Sequence, residues 1–322
     1  MSRALWYVGA GRAEIRDEPL GPLMPSAVRV RALHGAISRG TEALITHGRV
    51  PPSEYQRMRA PFMAGEFPFP VKYGYATVGV VESGSGDLLG RTVFTLHPHQ
   101  TVFDVPANAA VPVPTDVPAS RAVLAANMET ALNAVWDAGA GPFGSVAVVG
   151  AGVVGALTGL LCQELASADV TLVDVDPSRT SVASRFGLEF AMPEMAPTDC
   201  ALVIHASASA AGLATALRLA GDEATVLELS WYGSADVPVP LGGAFHSRRL
   251  KLIASQVGKV APSHRQEWTH RRRLEKALSL LADERLDVLF DTPVAFEDLP
   301  AELPRILAPG SGVLCQRIDY SR

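Results

Sequence analysis

The most specific chemical signal in the sequence is the run Gly150-Ala151-Gly152-Val153-Val154-Gly155. It follows the apolar residues 146–149 and opens a stretch of helical character, the context in which three glycines at this spacing bind a diphosphate. Gly150 permits a tight turn, Gly152 lets the backbone approach a pyrophosphate, and Gly155 lets a helix pack closely on a strand. The helix that starts at Val153 and Val154 offers free N–H groups and a positive dipole end. Asp174 closes the next apolar run, 170–173, at about the 20-residue interval of a ribose-binding acid. A carboxylate there accepts from adenosine ribose hydroxyls and repels a 2′-phosphate, so NAD(H) is expected over NADP(H). Arg179 lies near enough to offset that preference in part. The alternative is an ordinary βα unit with a glycine-rich turn and a solvated Asp174.

Other candidates are single residues at the ends of expected strands. Ligands of open parallel sheets bind beyond the carboxyl ends of the strands. Ser230-Trp231-Tyr232-Gly233 and Ser255-Gln256-Val257-Gly258 occupy such ends, which makes Ser230 and Gln256 candidate cofactor contacts. Trp231 and Tyr232 either border the ligand or pack. His97 and His99 stand at i and i+2 of a short extended segment and are expected to share a face. Imidazole titrates near neutrality, so they form a candidate acid/base pair, with an ordinary loop role as the alternative. His246, Arg248 and Arg249 precede the last parallel strand and either meet an anionic substrate or are solvated.

The elements that must position these residues fall into three blocks. Residues 4–8, 28–32, 77–82, 92–96 and 101–105 read as short strands punctuated by Gly and Pro, as in a barrel-like β domain. A helix is expected over 121–138. Strands at 146–149, 170–173, 200–205, 224–229 and 250–254 then alternate with helices at 153–165, 178–186 and 210–219, the pattern of parallel βαβ units. A helix over 268–281 and short strands near 288–290 and 313–318 close the chain. The expected organisation is therefore α/β, with a β-rich domain over 1–122, an inserted doubly wound parallel-sheet Rossmann domain over 123–261, and a returning segment over 262–322.

Composition narrows the class. The chain has 322 residues, 48% hydrophobic and 19% charged, with a net charge of -5, so nucleic acid is not an expected partner. Three scattered cysteines, Cys162, Cys200 and Cys315, supply neither a disulfide framework nor clustered zinc thiolates, and a reducing cytoplasm is expected. Residues 146–162 carry no charge, but their glycine spacing fits a buried βα unit better than a membrane span.

The order of β-rich domain, helix, GAGVVG unit and returning tail resembles the medium-chain dehydrogenase/reductase superfamily over nearly the whole chain. Ile37-Ser38-Arg39-Gly40-Thr41-Glu42 and the GYxxVGxVE pattern of residues 74–82 are most similar to the branch containing bacteriochlorophyllide hydroxyethyl dehydrogenase. The resemblance implies a GroES-like fold for the first domain. It also implies that zinc-dependent relatives carry metal ligands at the positions of Arg39, Tyr75 and Ala126. None of these is a zinc donor, and the four-Cys structural lobe is missing, so no zinc is expected at either site. By the same resemblance Thr41 matches a hydroxyl that relays the substrate proton, and Thr130 a residue beside the nicotinamide. Tyr75, standing where a ligand would, is the first candidate for the proton role, with a packed aromatic as the alternative. Glu42 either pairs with Arg39 or accepts a proton. Arg39 either polarises a carbonyl, touches the cofactor or is solvated. A homodimer joined at the strand near 250–254 is implied.

The leading expectation is zinc-free hydride transfer between NAD(H) and a small-molecule secondary alcohol/ketone pair, the protein positioning the ring and moving a proton. The alternatives are an enoyl- or quinone-type C=C reductase and a non-catalytic cofactor-binding redox sensor.

Overall fold

The computed structural model describes residues 2–84, 86–139 and 141–321. The chain divides into two compact units: Met1–Ala126 together with Phe290–Arg322, and Asn127–Leu289.

The first unit is the GroES-like β-rich part. Its larger sheet has the order Val294–Ala295, Gln316–Asp319, Ala27–Ile37, Thr77–Gly84, Thr92–Thr95 and Val111–Pro112, with Val102–Pro106 also paired to Ala27–Ile37. Val28, Val30 and Ala32 alternate toward Val81, Val93, Phe103 and Val105, as a half-buried sheet requires. A second sheet orders Arg12–Glu18, Ser2–Gly9, Val71–Lys72 and Ala64–Gly65. The last strand, Gln316–Asp319, pairs antiparallel with Ala27–Ile37. The segment expected as a strand at 288–290 is instead the end of a 3-10 helix, Glu284–Leu289, followed by a single bridge from Phe290 to Cys315. Residues 39–42 lie in a helix, Arg39–Thr46, that buries Glu42, Ile45 and Thr46 on one side.

The second unit carries a six-stranded parallel sheet in the order Glu189–Ala191, Asp169–Val173, Ser145–Val149, Cys200–His205, Ala220–Glu228 and Lys251–Ala254. From Ser145–Val149 the chain winds outward to one edge and then restarts beside it at Cys200–His205. The switch point of this doubly wound sheet thus lies between those two strands. The expected helix over 121–138 is two helices, Ala119–Ala122 and Ala125–Ala138. Residues 262–289, expected in the returning segment, cluster with the second unit. The reason is buried: Arg273, on helix His270–Ser279, donates to Glu129 Oε1 at 3.0 Å and to Asn133 Oδ1 of helix Ala125–Ala138. Among the described residues no helix is long and apolar enough to cross a membrane.

Candidate functional site

At the switch point the glycine turn has the geometry its sequence predicts. Gly150 has φ +106°, and a Cβ there would lie 2.6 Å from the backbone nitrogen of Ser207. A Cβ on Gly155 would stand 1.9 Å from the Gly150 carbonyl oxygen, so helix Val153–Ala166 can approach the turn only without a side chain at that position. A Cβ on Gly152 would meet nothing within 4 Å, so this side of the turn is open. No side chain caps the helix, leaving its first N–H groups toward that open side. These residues fit a dinucleotide diphosphate.

Asp174 follows strand Asp169–Val173 and is tied to the turn. Its Oδ2 accepts from Ala151 N–H at 2.7 Å and its Oδ1 from Asp176 N–H at 2.9 Å. A carboxylate has about four acceptor sites, so two remain uncommitted. Arg179 is turned onto Asp176, with Nη2 3.3 Å from Oδ2. Its charge is partly neutralised there.

Across the switch point lies a polar cluster that the sequence disclosed only in part. His205 ends strand Cys200–His205 with its side chain fully buried. Its Nδ1 lies 2.7 Å from Glu228 Oε2 and its Nε2 2.7 Å from Ser207 Oγ. Glu228 ends the neighbouring strand and also accepts from Tyr232 O–H at 3.0 Å and Ser230 N–H at 2.7 Å. Burial pushes the Glu228 carboxyl up, but its bonds to His205 and Ser230 outweigh this and hold it below the ordinary value. Burial, then the Glu228 charge, pushes the Tyr232 phenol up. Ser230 Oγ accepts from Ala208 N–H at 3.0 Å. The available signal was positional: a His and a Glu each closing an apolar parallel strand, with Ser207 two residues on.

The candidates of the first unit gather on helix Arg39–Thr46. The Tyr75 hydroxyl bonds to Ser38 Oγ and lies 3.1 Å from Thr41 Oγ1. Burial raises its pKa, so at neutral pH it is a proton donor rather than a base. Glu42 does not pair with Arg39. Its Oε2 accepts from Tyr7 O–H at 2.5 Å and lies 2.9 Å from His99 Nε2, and its Oε1 accepts from Ser38 N–H at 2.7 Å. Arg39 points the other way, with Nε donating to the Ile306 carbonyl at 2.9 Å and Nη2 to that of Ala308 at 3.1 Å. These carbonyls close helix Leu299–Leu307, where a cation meets the negative dipole end. Arg39 is thus neither solvated nor Glu42's partner.

His97 and His99 have separate surroundings. His97 stacks on Phe103 with ring centroids 3.8 Å apart, and burial pushes its pKa down to about 3. It stays neutral across the physiological range. His99 sits against Gly74 with its imidazole buried beside Glu42.

The remaining candidates are less informative. Thr130 lies on helix Ala125–Ala138. The exposed Gln256 folds onto its own loop, accepting from Gly258 N–H at 2.7 Å. Arg248 pairs with Asp199 and Arg249 with Glu223, near the amino ends of the strands and therefore opposite the glycine turn. Arg39, Tyr75 and Ala126 offer no tetrahedral zinc donor, and among the described residues no group of three or more His, Cys, Asp or Glu is arranged to hold a metal ion. This donor set does not fit a catalytic zinc.

No protein-family model matches the chain, and no curated protein matches it. Solved structures do. L-idonate 5-dehydrogenase from Escherichia coli str. K-12 substr. MG1655 superposes with a TM-score of 0.80 at 15% identity, over 99% of this chain and 98% of that one. The E. coli CFT073 protein rspB, described as a short chain alcohol dehydrogenase and complexed with NADH, gives 0.78 at 16% identity, over 99% of each chain. S. aureus TarJ in complex with NADPH gives 0.75 at 14%, over 99% and 98%. At these identities what is shared is the fold, a GroES-like part combined with a Rossmann part.

Proposed function

We propose that the chain is a medium-chain-type oxidoreductase that transfers hydride between NAD(H) and a secondary alcohol/ketone pair without a metal. The observation that carries this is the open glycine turn at the switch point, with the Asp174 carboxylate bound to its backbone. The likeness in fold to L-idonate 5-dehydrogenase, to the NADH complex of rspB and to the NADPH complex of TarJ supports it. So does the similarity of residues 37–42 and 74–82 to the bacteriochlorophyllide hydroxyethyl dehydrogenase branch.

The nicotinamide, when bound, supplies and accepts the hydride. The protein's part is to hold and to protonate. Gly150, Gly152, Val153, Val154 and Gly155 hold the diphosphate, and Asp174 the adenosine ribose. A 2′-phosphate would face the Asp174 carboxylate, with Arg179 already engaged by Asp176. That favours NAD(H). Tyr75, its hydroxyl bonded to Ser38 and near Thr41, donates the hydrogen bond and then the proton to the substrate oxygen, a role that calls for a protonated phenol. Three buried free cysteines suit a cytoplasmic enzyme. The outer strand Lys251–Ala254, with Ile253 38% exposed, offers an unpaired edge for a homodimer.

Fluorescence titration tests the core of this reading. NADH is expected to bind at least about tenfold more tightly than NADPH, a difference of about 1.4 kcal/mol. Tighter NADPH would overturn the cofactor preference. Binding of neither would overturn the enzyme assignment. Metal analysis of the purified protein, followed by assay on secondary alcohols, tests the metal-free step; a full zinc equivalent would sink it.

A further inference from the structure

The cluster around His205 is not used by the reading above. Its geometry has a direction. Glu228, held below its ordinary pKa, is a carboxylate, so His205 donates Nδ1–H to it. Nε2 is then left as an acceptor and takes the Ser207 hydroxyl proton across 2.7 Å. Ser209 Oγ stands 3.0 Å from Ser207 Oγ and itself accepts from Gly212 N–H, so its own proton is free to turn toward Ser207. Ser207 thus keeps one lone pair uncommitted. Its backbone packs directly against Gly150, 2.8 Å from Ser207 Cα to a Cβ placed on that glycine. The chain Glu228–His205–Ser207 therefore runs from the interior to the rim of the glycine turn. Ser207 lies two residues past strand Cys200–His205, on the side of the switch point opposite Asp174.

We propose that Ser207 accepts a hydroxyl of the second sugar of the bound dinucleotide, and that His205 and Glu228 are positioning residues which hold Ser207 as an acceptor. This deepens the cofactor reading and rests on it. Asp174 takes the sugar on one side of the diphosphate, Ser207 the sugar on the other.

Calorimetry with two probes tests this. ADP-ribose carries the second sugar and ADP lacks it. Ser207→Ala is expected to weaken ADP-ribose about tenfold and to leave ADP unchanged, the loss of one hydrogen bond. In His205→Gln, which replaces the ring acceptor held against the Ser207 hydroxyl, ADP-ribose is expected to weaken while ADP is unchanged. Equal weakening of both probes in Ser207→Ala, or none, would overturn the proposal while leaving the glycine turn as a diphosphate site. A wild type that binds neither probe would overturn the cofactor reading itself. Should His205→Gln fail to fold, the Ser207→Ala pair of titrations still decides.

Discussion

Two buried histidines, one in each unit, are paired with a glutamate, and they end differently. His99 and Glu42 form a closed knot. Both side chains are all but inaccessible, Glu42 is shared with Tyr7 and the Ser38 N–H, and His99 Nδ1 has no hydrogen-bond partner among the described residues. His205 and Glu228 form an open chain. Both imidazole nitrogens are engaged, the glutamate side chain is 14% exposed, and the line continues through Ser207 to the glycine turn. The same two side-chain types thus give a peg in one unit and a conduit in the other. What differs is not the pair but the third residue: in the first unit a phenol that terminates the network, in the second a hydroxyl with acceptor capacity left over.

Breaking the knot should cost most. Glu42→Ala leaves the Tyr7 hydroxyl and the His99 N–H buried without an acceptor, and a loss of about 3 kcal/mol or more is expected in chemical denaturation. A loss below about 1 kcal/mol would mean that water reaches the knot. Glu228→Ala should cost less, about 1–2 kcal/mol, because Glu228 is itself partly exposed and water can take the place of its carboxylate beside His205 and Ser230. Tyr7→Phe is expected to cost about 1 kcal/mol, since one donor goes and Glu42 keeps two.

Acid sharpens the contrast. Burial pushes the Glu228 carboxyl up, but its bonds to His205 and Ser230 together outweigh that push and hold it below its ordinary pKa. Its contribution to stability is in place above the ordinary carboxylate range and is lost as pH falls through its lowered value. Glu228→Gln should therefore flatten the acid limb of a pH–stability curve below about pH 4.5. An unchanged limb would show that the bond to His205 carries no linkage. Tyr75→Phe is expected to change stability least, by under about 1 kcal/mol, while cutting turnover by about a hundredfold. Full turnover would remove Tyr75 from the proton step.

Much of the second unit was legible because it is built from local rules. The strand Cys200–His205 and the helix Ala210–Leu219 have the bounds that periodicity predicts, and the glycine turn bends where its spacing requires. The first unit was less legible. Helix Arg39–Thr46 carries a short polar motif without a long apolar stripe, and Arg39 finds its partners more than 260 residues away in sequence. Glu42 lies three residues along the helix from Arg39, a spacing that invites an ion pair, yet burial with Tyr7 and His99 won. The break between Ala119–Ala122 and Ala125–Ala138, and the 3-10 course of Glu284–Leu289, left no mark in the apolar pattern.

By itself the sequence determined the backbone requirements: where a glycine must bend, which runs must be buried, and which strands must lie parallel. Those follow from sterics and periodicity, which act between near neighbours along the chain. Only the tertiary structure decided which polar side chains meet, joining Glu42 to His99 and His205 through Ser207 to the glycine turn. A buried hydrogen bond is worth having only when both partners have left water together, and which groups do so depends on residues far apart in the chain.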